Sequence, residues 1–143
     1  MQISARVINT PDGHEASVRT GTASQTMPVP AKAAGRGSAV NGGEFLMLAL
    51  ATCYCNDLFR EAARLGIPIE AVDVEASAEL AGVGLAASNI RYRAQVTSSA
   101  PPASIADLLR QTDAVAEVHN TLRAGAAVVL EPDLERRGVR PPR

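Results

Sequence analysis

Residues 41–66, NGGEFLMLALATCYCNDLFREAARLG, decide how this chain folds. Asn41 is a good helix N-cap, and Glu44 stands three residues later, the spacing of a capping box. Gly66 supplies the left-handed residue that closes a helix, and Pro68 prevents its resumption. Arg60, Glu61 and Arg64 all fall in the second half, while residues 45–55 are apolar on every side. A helix of that kind must be enclosed by protein. It does not span a bilayer, because eleven apolar residues rise only about 16 Å. The same helix carries both cysteines of the chain, Cys53 and Cys55.

Around it the period changes to two. Residues 2–9 alternate Ile3, Ala5 and Val7 against Ser4 and Arg6, and Pro11-Asp12-Gly13 is turn chemistry, so residues 14–20 complete a hairpin. Residues 21–43 are rich in Gly, Ser, Thr, Ala and Pro. They predict a short strand near residues 27–29 and then a mobile loop that carries Lys32 and Arg36 to the helix. Beyond Pro68, Val72, Val74, Ala76, Ala78 and Leu80 share one face of a strand, with Asp73, Glu75, Ser77 and Glu79 on the other. After Gly82 and Gly84, Ile90, Tyr92, Ala94 and Val96 point inward and Arg91 and Arg93 outward. Antiparallel pairing then sets Glu opposite Arg.

Pro101-Pro102 ends this hairpin; Ser104 is the expected cap of a short helix and Thr112 of a second one reaching Ala124, with Val115, Val118, His119 and Leu122 on one face. Residues 126–131, AAVVLE, read as a last strand, and residues 133–143 as a basic, frayed tail. The expectation is a single α+β domain over residues 1–132, with antiparallel sheets wrapped around a long buried helix.

Composition narrows the function. In 143 residues the net charge is −1, so no global field gathers nucleic acid or anionic membrane. Aromatics are 3% with no Trp, which removes base-stacking and carbohydrate platforms. The first residues, MQISARVINT, lack the basic-then-apolar pattern of a secretory leader, and two cysteines make no disulfide framework. A cytoplasmic, reducing setting is expected. The sequence has neither the P-loop Lys-Ser/Thr pair nor a GxSxG elbow. His14 and His119 fall in unrelated elements, so neither a metal site nor a cofactor is expected.

Cys53 and Cys55 are therefore the nucleophiles of interest. Two positions on a helix are about 200° apart, which opposes a mutual disulfide or a shared metal. A buried cysteine is most often a small inert hydrophobe. A reactive one needs cationic or hydrogen-bonding neighbours. Arg36, folding back from its loop, is a candidate, with Arg6, Arg19 and Lys32 as substitutes. Glu44 has two readings, a residue of its own helix cap or a group that orients an arginine.

The text LMLALATCYC, preceded by a Gly-rich loop and followed by REAARLGIPIEAVDVEASAEL, resembles the OsmC/Ohr family, whose long central helix carries a cysteine in a similar context. The order of elements is similar over nearly the whole chain. The resemblance implies an intertwined homodimer with active sites at the subunit interface. It also implies reduction of organic hydroperoxides or hydrogen peroxide by Cys53, with Arg36 as activator and Glu44 as orienter. The family's second cysteine position reads Ala116 and the following proline Glu117, while its first PEE/PEQ carboxylate position reads Gly43. A one-cysteine thiol peroxidase with an external thiol reductant is one expectation. The other is a non-catalytic protein of the same fold that binds a small apolar ligand at the dimer interface.

Overall fold

The computed structural model describes residues 1–131; the expected basic tail at residues 133–143 lies outside them. The central helix α1 runs Gly42–Leu65. Asn41 Oδ1 accepts from the Glu44 N–H at 2.9 Å, and Glu44 Oε2 accepts from the Asn41 N–H at 2.8 Å. That reciprocal cap contributes about 1 kcal/mol. At the far end Gly66 adopts φ 68°, and the Ile67 N–H reaches back to the Ala62 carbonyl. Such a φ suits the residue without a Cβ.

Strands β1 (Ile3–Thr10), β2 (Gly13–Thr20) and β3 (Ala23–Met27) form an antiparallel sheet in that order. β3 begins and ends earlier than residues 27–29. Gly21, at φ 55°, makes the turn after β2, and Pro28 and Pro30 lack the N–H that a longer ladder would need. The following loop is not an open coil: Ala31 and Ser38 form a bridge, and the Lys32 N–H donates to the Gly37 carbonyl at 3.0 Å. Strands β4 (Ala71–Glu79) and β5 (Ser88–Thr97) form the second sheet, with Glu75 opposite Arg93. Their side chains meet at 2.8 Å from Arg93 Nε to Glu75 Oε2, the complementary pairing expected of the two outer faces. Ile90 and Leu80, the latter just past the end of β4, were assigned inward but are 41% and 64% exposed.

The expected break at Thr112 is not there. Helix α2 is continuous over Pro102–Val115, with Pro101 rather than Ser104 at its N-cap. Thr112 is fully buried and its hydroxyl donates to the Leu108 carbonyl at 2.8 Å, so it serves the helix interior instead of a cap. The break falls at Ala116, whose extended φ −71°, ψ 104° separates α2 from α3 (Glu117–Arg123). Residues 126–131 form no strand; Val128, Val129 and Leu130 lie exposed, because β-prone side chains make a strand only where a ladder partner exists.

Tyr54, Leu58 and Ala62 of α1 pack with Leu108 and Ala116 to form the core, sealed by Val72, Val74, Tyr92, Ala94 and Val96 from the second sheet. Tyr54 binds the elements together. Its hydroxyl donates to the Leu109 carbonyl at 2.7 Å, and its ring meets Tyr92 edge-on at 4.8 Å and His119 at 5.7 Å. The apolar surface of α1 is not fully enclosed by the described residues. Leu48 is 53% exposed and Phe59 49%, and the three-stranded sheet has no extended packing against any helix.

Candidate functional site at Cys53

Cys53 is carried on the face of α1 that meets α3. Its Sγ donates to Asp57 Oδ2 at 3.6 Å and lies 4.0 Å from Glu117 Oε2. Asp57 is one helical turn further along α1, and so necessarily shares the face of Cys53. Glu117 opens α3, and the extended backbone at Ala116 is what turns it toward α1. Arg60 spans both carboxylates, with Nη1 at 2.8 Å from Asp57 Oδ1 and 3.6 Å from Glu117 Oε1. Each carboxylate thus gives one oxygen to the guanidinium and turns the other toward sulfur.

Burial pushes the Cys53 thiol above its ordinary pKa; a backbone hydrogen bond from Val118 opposes this, and the charges of Asp57 and Glu117 add to it. The Asp57 carboxyl is also raised, chiefly by burial and against the pull of Arg60. Three potential ligand atoms, from Cys53, Asp57 and Glu117, lie within 4.8 Å of one another. The spacing suits a small cation, but the Arg60 guanidinium already bridges the two carboxylates. The site chemistry is that of a protonated thiol facing proton acceptors, not of a thiolate resting beside a cation.

The residues named from sequence do not converge within one chain. Arg36 is exposed and donates from Nε to Asn9 Oδ1 at 2.7 Å and from Nη2 to the Asn9 carbonyl at 3.2 Å. It is not among the groups acting on the Cys53 thiol. Glu44 is nine residues before Cys53, about 13 Å along the helix axis, and holds its own N-cap. At Gly43 a Cβ would stand 3.1 Å from Leu80 Cδ1, so Leu80 crowds the space where the family's carboxylate would begin. Asp57, Arg60 and Glu117 were missed by sequence reasoning. The i, i+4 spacing from Cys53 was the available sign for Asp57; Glu117 was signalled only by its place beside Ala116.

Two further features flank the site. His119 is buried with neither ring nitrogen partnered among the described residues, and its ring lies 4.4 Å from that of Tyr92. Tyr92 donates its hydroxyl to Asp113, which Arg123 holds at 2.6 Å. At the start of α1, a cleft of about 660 Å³ is lined by Gly43, Leu46, Met47, Ala76, Ala78 and Leu80 among others.

This fold also occurs in solved structures. An OsmC-like protein from Mycoplasma pneumoniae is 16% identical with a TM-score of 0.62, over 86% of this chain and 88% of that one. An organic hydroperoxide resistance protein OsmC from Legionella pneumophila is 16% identical with a TM-score of 0.58, over 86% and 90%. An organic hydroperoxide resistance protein from Elizabethkingia anophelis is 13% identical with a TM-score of 0.60, over 86% and 89%. These likenesses define the fold. The family follows from sequence: the model of the OsmC-like proteins matches residues 35–131, and the chain belongs to that family. No curated protein matches it in sequence. Among the described residues no helix is long and apolar enough to cross a membrane.

Proposed function

We propose that this protein is a thiol-dependent hydroperoxide reductase of one-cysteine type, acting through Cys53. The observation that carries the reading is the placement of the Cys53 thiol at the junction of α1 and α3, with Asp57, Glu117 and the Val118 backbone around it. Cys55 projects from another side of α1. Ala116, wholly buried, occupies the position that corresponds to the family's second cysteine. The hydroperoxide is reduced to the alcohol and Cys53 is oxidised to a sulfenic acid, which two equivalents of an external thiol return to the thiol as a disulfide and water. Membership of the OsmC-like family and two free cysteines, which suit a reducing cytoplasm, support the reading.

The active form is a homodimer. Phe45, Leu48, Thr52, Cys55 and Phe59 recur at intervals of three and four along α1, the spacing of a helix–helix seam, and Leu48 and Phe59 are half exposed. Pairing α1 with a second α1 along this seam covers it. Arg36 and Glu44 keep a role in such an assembly by reaching the thiol of the other subunit.

A second reading, a non-catalytic protein that binds a small apolar ligand at the dimer interface, is favoured by the apolar cleft between α1 and β4. Peroxide consumption with a dithiol reductant separates the two. Turnover abolished in Cys53→Ser and retained in Cys55→Ser supports the reductase; equal rates in both variants and in a blank overturn it.

A further inference from the structure

Among the described residues of its own subunit, the side chains in contact with the Cys53 Sγ are two carboxylates, where a thiolate at rest would call for cations. The arrangement of the carboxylates suits a different task. Asp57 is buried, with Oδ1 fixed by Arg60 at 2.8 Å and Oδ2 left facing the Cys53 Sγ at 3.6 Å. Glu117 repeats the pattern from α3, but its side chain is 70% exposed. One carboxylate thus sits at the sulfur and the other between helix and solvent, joined by one guanidinium.

Building on the peroxidase reading above, we infer that Asp57 is the general base that takes the Cys53 proton during attack on the hydroperoxide, and that Glu117 relays this proton to the departing oxygen. Sγ attacks the distal oxygen of ROOH; the S–O bond forms and the O–O bond breaks, its electron pair leaving on RO. The hydrogen on the distal oxygen remains in the S–OH group. The thiol proton goes to Asp57 Oδ2 and through Glu117 to RO⁻, so that the products are sulfenic acid and alcohol. The charged and titratable groups facing the pair are Arg60 from α1 and His119 from α3. His119 is held neutral by its burial, so Arg60 supplies the compensating charge. Burial of Asp57 raises its carboxyl toward the working pH, which strengthens it as a base.

The test compares two reactions of Cys53 in Asp57→Asn, oxidation by cumene hydroperoxide and alkylation by iodoacetamide. A carboxylate that merely repels the thiolate slows both, so its removal accelerates both. Loss of a base slows both, oxidation the more, by at least about ten-fold, because the departing oxygen then also lacks its proton. Parallel acceleration overturns the inference. The unmodified protein supplies an independent check should the variant misfold. Its oxidation rate is expected to level off once Asp57 is ionised, well below the thiol pKa. A rate climbing ten-fold per pH unit up to that pKa overturns the assignment of Asp57 alone. No oxidation of Cys53 at any pH overturns the peroxidase reading itself.

Discussion

His119 shows what a single buried side chain does to this protein. Its imidazole sits against Tyr54 and Tyr92 with both nitrogens unpartnered among the described residues, and burial, assisted by Arg123, holds its pKa below the ordinary value. The unfolded chain binds a proton near pH 6.5 that the folded chain refuses, so stability falls as pH drops through that value toward the folded pKa. Asp57, whose pKa is raised, acts with the opposite sign at lower pH, so a variant is needed to isolate the histidine. His119→Phe keeps the ring contacts and removes both nitrogens. Urea denaturation should find it about 1 kcal/mol more stable at pH 7.5, with a smaller loss on going to pH 5.5. Equal pH slopes for the two proteins would contradict this account. Among the candidate-site residues, Cys53 was singled out by resemblance, while Asp57 was missed although its helical spacing was the available sign. Within the single chain Arg36 lies away from Cys53, its guanidinium bound to Asn9 of β1, distant in sequence. No local pattern announces a contact made by tertiary docking.

At the scale of elements, α1 and the β4–β5 hairpin were written in the sequence because cap, period and stop agree there. The errors fell where one residue serves two purposes. Thr112 is both a good cap and a tolerable interior residue, and its bond to the Leu108 carbonyl settles the matter in favour of one long α2. Residues 126–131 have a strand's composition, yet no strand among the described residues runs beside them. The two readings of Glu44 also belong to this scale. Asn41→Ala removes the N-cap without touching the Glu44 side chain, and should cost about 1 kcal/mol of stability. Glu44→Gln keeps a group able to accept the Asn41 N–H but loses the charge. A near-wild-type melting temperature with reduced peroxide turnover would assign Glu44 a role beyond its cap; unchanged turnover would leave it a cap residue.

At the scale of the molecule, the chain leaves too much apolar surface uncovered to be complete alone. The β1–β3 sheet has Ile3 and Val7 well exposed, and α1 presents Leu48 and Phe59 to solvent. An α-helix and a sheet must each bury an apolar face against another layer. In the proposed dimer a second copy supplies that layer, and Leu48→Asp, at the middle of the α1 seam, should shift the light-scattering mass from dimer toward monomer or unfold the chain. A monomeric mass for the unaltered protein at micromolar concentration would refute the seam. The sequence disclosed this surface only as an apolar run on every face of one helix; which part the chain covers itself depends on where α2 and the second sheet dock.

The central claim, that Cys53 is the peroxide-reactive thiol, meets its most direct test in the intact mass of the reduced protein after brief cumene hydroperoxide treatment with a sulfenic-acid trap, followed by peptide mapping. One trap per chain, placed on Cys53 within seconds and not on Cys55, is the result expected here. Slow labelling divided between the two cysteines would contradict it, and the apolar cleft would then become the place to look for this protein's function.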